Sequence, residues 1–300
     1  MTVPFVRYRS FDEDSGRWAG FGFRPGDIVI STRSKAGTTW IQMICALLVY
    51  RTPDLPHPLA ELSPWIDRLT TPRDELLAML DAQEHRRILK THTPLDGVPL
   101  DLRATYVVVA RHPLDAAVSL YHQAANIDRR RLARLVGAPA PDAESPAPVP
   151  GPGDLRAWLL AWIDDDTPPE KGLDRIRGVA HHLADAWSRR QESNVVLVHY
   201  QDLITDLDGE MRRIAERLGE AVPQERWPQL VEAASFGAMR ARAADLVPDR
   251  EGVLRDPAAF FRSGRSGAAA EVLSPAELAR YRARTATLLP PDLDAWLHRT

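Results

Sequence analysis

An α/β fold, with a central parallel sheet flanked by helices, is predicted by three features of the sequence. Short β-branched runs alternate with helical apolar patterns along the chain. The first of these runs, Ile28-Val29-Ile30, leads through a tight turn containing Gly37 into an abrupt helix start at Thr38. A near-continuous apolar run from Thr105 to Ala110, the composition of a strand buried on both faces, ends directly at Arg111.

The elements follow in order from local chemistry. Beyond Thr38, Ile41, Ile44, Cys45 and Leu48 keep the i, i+3, i+4, i+7 spacing of one helix face. Proline-rich turns occupy Pro53 to Pro58, and a helix is predicted beyond Pro72 with Leu76, Leu77 and Leu80 inward. Arg87 to Lys90 reads as a second strand and Thr105 to Ala110 as the third. Pro113 opens a long helix, because its missing N–H costs nothing in a first turn, and Ala117, Leu120, Ala124 and Ile127 form its buried stripe. That helix dissolves into Gly137 to Gly153, whose six prolines among small and acidic residues give little to pack and predict a mobile surface loop, a candidate lid. Val195 to Val198 is the fourth strand, and one helix is predicted from Asp202 to Leu218 on Leu203, Leu207, Ile214 and Leu218. With no internal repeat, and with 137–153 read as a surface loop rather than a boundary, residues 1–300 are expected to form one domain.

The first turn is a ready anion site. A helix N-terminus offers unpaired backbone N–H groups and the positive end of the helix dipole. Lys35 adds a charge, and Thr38 and Thr39 add hydroxyls. A Walker loop would place its lysine after the second glycine, whereas Lys35 here precedes Gly37, and Trp40 is foreign to that loop. Arg111 stands at the carboxyl end of a strand, where open α/β sheets bind their ligands, and Ser119 lies two turns into the helix that follows. His92, in Lys90-Thr91-His92-Thr93-Pro94, carries the side chain best suited to accept a proton near neutral pH.

Arg33-Ser34-Lys35-Ala36-Gly37-Thr38-Thr39-Trp40 resembles the 5′-phosphosulfate loop of cytosolic-type sulfotransferases, Pro-Lys-Ser-Gly-Thr-Thr-Trp, departing from it at Ser34 and Ala36. Arg111, Asp115 and Ser119 match that family's 3′-phosphate motif, and Lys90 to Pro94 matches its Lys-Thr-His-x-Pro. Tyr200 stands where a tyrosine beside adenine is expected, although Gln201 replaces the usual glutamate; Ala234-Ser235-Phe236 resembles the Thr-Ser-Phe whose ring packs on the purine. Arg262, Gly264 and Gly267 match the C-terminal Arg-Lys-Gly-x-x-Gly stretch, but Ser263 replaces its lysine and Ala268-Ala269-Ala270 its Asp-Trp, with Arg265 a possible substitute cation. The resemblance runs from Arg24 to Tyr281. The segments around Pro53-Asp54-Leu55-Pro56, Leu62 to Trp65 and Lys90 to Gly97 look most like actinobacterial glycolipid-type members.

The resemblance implies a P-loop-NTPase-like sulfotransferase fold and a donor, 3′-phosphoadenosine-5′-phosphosulfate, that leaves as adenosine 3′,5′-bisphosphate. It implies His92 as the base that deprotonates a hydroxyl acceptor, Lys35 on the leaving phosphate and Lys90 on the sulfuryl oxygens. Lys35, Ala36, Gly37, Thr38, Thr39, Trp40, Arg111, Ser119, Tyr200, Phe236, Arg262 and Gly264 would hold the nucleotide. The acceptor is a small molecule or glycolipid. Its walls are expected in Thr52 to Leu69 with Trp65, in Tyr121–His122, and in the proline-rich loop, the variable parts of such a fold. No metal is required, since a sulfuryl group carries less charge than a phosphoryl group, and the sequence offers no convincing ligand set. His181-His182 face different directions on a helix, and Asp164-Asp165-Asp166 reads as a solvated helix end.

Composition narrows the class further. A net charge of −3 speaks against a general nucleic-acid binder, so any anion site is local. Cys45 is the single cysteine, which excludes intrachain disulfides and fits a reducing cytoplasm. No signal peptide is evident in residues 1–20, and no apolar stretch approaches the ~20 residues that span a bilayer, so a membrane-anchored enzyme is not expected. Two other readings stay open: a P-loop-type kinase or NTPase, and a catalytically decayed nucleotide-binding protein.

Overall fold

The computed structural model describes residues 5–139, 154–247, 249, 251–262, 264 and 266–299. Four parallel strands, β1 (Ile28–Ser31), β2 (Ile88–Thr91), β3 (Thr105–Ala110) and β4 (Val195–His199), stand in the order β2-β1-β3-β4. Each lies within one residue of the run that predicted it. The chain leaves β1 for β2 on one side and returns to β3 on the other. The crevice beyond the ends of β1 and β3 is therefore a topological switch point, the place where such sheets bind ligands.

The helices are α1 (Thr38–Tyr50), α2 (Leu59–Leu62), α3 (Arg73–Asp81), α4 (Pro113–Asn126), α5 (Arg129–Leu135), α6 (Leu155–Ile163), α7 (Ile176–Ser188), α8 (Tyr200–Thr205), α9 (Leu207–Leu218), α10 (Trp227–Ala234), α11 (Phe236–Ala241), α12 (Ala243–Leu246), α13 (Pro275–Leu288) and α14 (Pro291–Leu297). Alternation along the strands divides the core. Ile28, Ile30, Ile88, Val107, Val109, Val196 and Val198 face one way and pack with α1, α9 and α10. Val29, Leu89, Tyr106, Val108 and Val195 face the other, against Trp18, Phe21, Phe23 and the Leu76 and Leu80 of α3. A third cluster joins α4, α6, α7, α13 and α14. Among the described residues no helix is long and apolar enough to cross a membrane.

The strand entrances are tied by a buried ion pair. Arg87 donates from Nε to Asp27 Oδ1 at 2.9 Å and from Nη2 to Oδ2 at 2.5 Å, both side chains being nearly inaccessible. Asp27 also accepts the Thr105 N–H at its carbonyl (2.8 Å), so one residue links the starts of β1, β2 and β3.

Two long helices expected from periodicity are each broken. The helix after Pro113 stops at Asn126, because Ile127 turns extended to form an antiparallel bridge with Leu254; Asp128 then caps a new helix through the Arg131 N–H. The segment from 202 to 218 divides at Asp206, which ends α8 and caps α9 through the Gly209 N–H at 2.9 Å. Of the proline-rich stretch 137–153, residues 140–153 lie outside the described residues.

Candidate active site

A cavity of about 690 Å³ opens beyond the carboxyl ends of the strands. It is lined by Lys35 and Gly37 from the loop after β1, Thr38, Thr39 and Trp40 from the start of α1, Lys90 from β2, His92 just beyond it, and Arg111 and Ser119 after β3. Tyr200, Phe236, Arg262 and Gly264 complete it. All the expected site residues thus converge except Ala36, which is buried and whose N–H is bonded to the Arg33 carbonyl at 3.1 Å.

The loop after β1 presents an open helix N-terminus, the geometry that suits an anion. Gly37 caps α1 at φ 110° and supplies no side-chain cap, so the first-turn N–H groups of α1 have no acceptor within the helix. A Cβ on Gly37 would lie 2.9 Å from the Tyr200 ring, so both the dihedral and the space require glycine. Lys35 itself sits at φ 65°. Arg111 braces that turn by donating to the Lys35 carbonyl at 3.0 Å, and its guanidinium lies 4.4 Å over the Tyr200 ring. The Lys35 ammonium reaches Gln123 Oε1 at 3.3 Å and lies 4.3 Å over Phe260. Burial, then Arg111 and Arg262, push the Lys35 pKa down to about 7. A third positive charge is costly there, and a polyanion would relieve that cost.

Aromatic rings form the adjacent walls. Tyr200 meets Trp40 edge-on at 5.3 Å, and the Trp40 indole N–H donates to the Ala234 carbonyl at 2.8 Å. The residue that lost a hydroxyl relative to the family pattern therefore still anchors the site, through its backbone. Gly264, at φ 62°, packs so closely that a Cβ would stand 2.6 Å from the Phe236 ring. Asp115 faces the C-terminal loop rather than the cavity and accepts the Gly267 N–H at 3.0 Å, clamping that loop beside α4. Ser263 and Arg265 lie outside the described residues.

His92 stands at the other end. Its Nδ1 lies 2.5 Å from the Thr32 carbonyl, which fixes the proton on Nδ1 and leaves Nε2 as an acceptor. Burial, with Lys90 and Arg33 nearby, holds its pKa well below the ordinary 6.5, so it is neutral and able to take a proton at pH 7. Asp67, which sequence reasoning missed, accepts the His92 backbone N–H at 3.0 Å, the Trp18 indole N–H at 2.6 Å and the Thr91 hydroxyl. Asp67 is itself placed because residues 64–66 bridge the edge of β2, with Lys90 N–H to Pro64 carbonyl at 3.0 Å and Ile66 N–H to Lys90 carbonyl at 2.9 Å. That bridge also sets Trp65 edge-on to His92 at 4.4 Å and under the Lys90 ammonium at 3.7 Å. Burial and Arg68 bring the Lys90 pKa down to about 7.

The remaining walls only partly match expectation. Trp65 and Arg68 line the cavity, and the Tyr121–His122 region does so through its neighbours Leu120, Gln123, Ala124 and Ile127 rather than through Tyr121 and His122 themselves. Of the stripe expected on α4, Ala117 is buried in the core, while Leu120 and Ala124 pack against the core and also line the cavity. Residues 8–13, Trp158, Trp162, 169–175, Asp249, Glu251, Val253 and Leu254 also line it, and none of them carried a local signal.

Comparison with known proteins agrees with this geometry. A family model described as a sulfotransferase domain matches residues 25–289. A glycolipid sulfotransferase of Mycobacterium bovis is 41% identical over 98% of this chain and 94% of its own length, and one of Mycobacterium tuberculosis is 42% identical with the same coverage. Sulfotransferase 1A1 of Bos taurus is 26% identical over 79% of this chain and 73% of its own. Among solved structures, mouse sulfotransferase SULT7A1 with PAP superposes at a TM-score of 0.68, with 19% identity over 94% of this chain and 90% of that one. The chain belongs to the sulfotransferase family.

Proposed function

We propose that this protein transfers the sulfuryl group of 3′-phosphoadenosine-5′-phosphosulfate to a hydroxyl of a glycolipid acceptor, with His92 as general base. The observation that carries this reading is that His92, its Nδ1 proton fixed on Thr32, shares one cavity with Lys35 and the uncapped N-terminus of α1. The site fits the donor: an open helix N-terminus with Lys35 suits its 5′ end, Arg111 with Ser119 and Arg262 its 3′-phosphate, and Tyr200 with Phe236 its base. That donor supplies an activated sulfur and a phosphate leaving group. Among the relatives, those at 41–42% identity are the ones named glycolipid sulfotransferases, which supports the acceptor class.

His92 Nε2 takes the proton of the acceptor hydroxyl as its oxygen bonds to sulfur and the bond from sulfur to the phosphate oxygen breaks. Lys35, the first-turn N–H groups and the Thr38 and Thr39 hydroxyls bind the charge that grows on the departing oxygen. Lys90, poised over Trp65, binds the sulfuryl oxygens. Asp67 holds the His92 backbone, and the chain thereby works by positioning and fixed charge.

Transfer of labelled sulfate to a monohexosyl lipid tests the reading. His92→Ala should abolish turnover while the affinity for adenosine 3′,5′-bisphosphate stays within about twofold. Undiminished turnover in that variant would remove His92 as the base. Phosphoryl transfer from ATP–Mg²⁺ instead would place the protein with the kinases, and absence of any nucleotide binding would mark a decayed site.

A further inference from the structure

Beyond His92 the cavity is walled by an N-terminal segment that nothing in its local sequence links to the chemistry. Residues 12–14 run antiparallel beside 67–69, through Asp14 N–H to the Asp67 carbonyl and Leu69 N–H to the Asp12 carbonyl, both 2.9 Å. This pairing sets Glu13 opposite Arg68, next to Asp67. Its neighbours are all engaged: Asp12 pairs with Arg68 at 3.0 Å and Asp14 with Arg7 at 2.5 Å. Glu13 alone of the three has no hydrogen-bond or ion-pair partner for its carboxyl among the described residues, although it lines the cavity wall and is half-buried.

We propose that Glu13 is a specificity residue that binds the acceptor, exchanging hydrogen bonds with sugar hydroxyls beside the one that faces His92. The proposal rests on the glycolipid reading above. A phenol or simple alcohol has one hydroxyl, which His92 occupies, so a second unpartnered polar group in this wall serves only a polyol. Its charge state suits that role. Burial, with Asp12, Asp174 and Asp67 against it and Arg33 opposing, pushes the Glu13 pKa up to about 8; Lys90 also lies within its field. At pH 7 the group is thus a neutral acid, able both to donate and to accept, and it does not repel a polyanionic donor as a carboxylate would.

The experiment is steady-state kinetics at saturating donor, with a monohexosyl lipid and 4-nitrophenol as acceptors, on wild type, Glu13→Gln and Glu13→Ala. Affinity for adenosine 3′,5′-bisphosphate, measured by calorimetry, should be unchanged in both variants. Glu13→Ala should raise KM for the hexosyl lipid about tenfold, the effect of one or two lost hydrogen bonds, and leave KM for the phenol alone. Glu13→Gln, which keeps a donor and an acceptor, should restore most of the loss at pH 7. In wild type the hexosyl-lipid KM should climb as pH rises through about 8, where Glu13 loses its proton; in Glu13→Gln that climb should vanish. An unchanged hexosyl-lipid KM in Glu13→Ala, equal losses with both acceptors, or a climb that survives in Glu13→Gln overturns the assignment. Wild type that ignores the hexosyl lipid while sulfating the phenol refutes the acceptor reading and the role of Glu13 together, whereas the variant outcomes strike Glu13 alone.

Discussion

Binding of adenosine 3′,5′-bisphosphate should draw a proton from solution, and the amount follows from Lys35. Burial and the charges of Arg111 and Arg262 hold this lysine near pKa 7. At pH 8 such a group is only about one-tenth protonated, and a phosphate dianion in the cradle should restore it towards the ordinary ~10.4. Lys35 then takes up about 0.9 proton at pH 8, against about 0.1 at pH 6, where proton release from the ligand's phosphates outweighs it. The ligand's phosphates, with second pKa values of about 6, are already dianions at pH 8 and release almost nothing. The sign follows from linkage: the bound state holds more protons, so affinity must weaken as pH rises, by about fivefold from pH 7 to 8 and close to tenfold from 8 to 9. Calorimetry in two buffers of different ionisation heat, at constant ionic strength, measures the uptake directly. Lys35→Met should abolish the uptake and weaken binding by about ten- to a hundredfold, the value of one charged hydrogen bond. Uptake below about 0.3 at pH 8, or uptake that persists in Lys35→Met, would refute the reasoning.

Three further outcomes are expected. Arg87→Met leaves Asp27 buried without its partner and should lower unfolding stability by about 3–5 kcal/mol in urea titration, with m unchanged. Gly37→Ala forces a Cβ onto the Tyr200 ring at a left-handed dihedral; calorimetry should show nucleotide affinity falling at least about tenfold, since the cradle's N–H groups lose their aim. Because His92 is held neutral well below pH 6.5, kcat at saturating donor should not decline between pH 7.5 and 6.5, and a protonation midpoint at 6.5 would contradict its environment.

Much of the site was readable because its parts are short and local. A strand buried on both faces needs an apolar run, so β1 to β4 announced themselves, and a phosphate cradle is one turn of contiguous backbone from Lys35 to Trp40. What escaped depends on distant partners. Ile127 has the pattern of a helix residue and leaves the helix only because Leu254 pairs with it. Asp206 looks like one polar residue on a helical face until it is seen capping Gly209. Asp67 and Glu13 show no periodicity or motif, and their roles arise where residues 12–14 meet 67–69, across more than fifty residues of chain. Ala234 reads as a loss because a side-chain pattern says nothing of the carbonyl that Trp40 uses.

Burial works in opposite directions on the two kinds of group this site needs. For His92, removal from water favours the neutral ring, the form that the proposed base requires. For Lys35 and Lys90 the same removal favours the neutral amine, which cannot stabilise a leaving phosphate or a sulfuryl oxygen. Among the described residues neither lysine has an acidic side chain bonded to it: Lys35 rests on Gln123 and Phe260, and Lys90 on Trp65. A carboxylate there would keep each lysine charged, but it would also occupy the ammonium and repel a polyanion. Amide and aromatic partners hold the two amines in place at little electrostatic cost and leave their charge to be restored by the donor, that of Lys35 by its phosphate and that of Lys90 by its sulfuryl group. The cations are therefore strongest when the donor is present, while His92 is ready throughout, so the protonation state that transfer requires is completed by the donor's own charge.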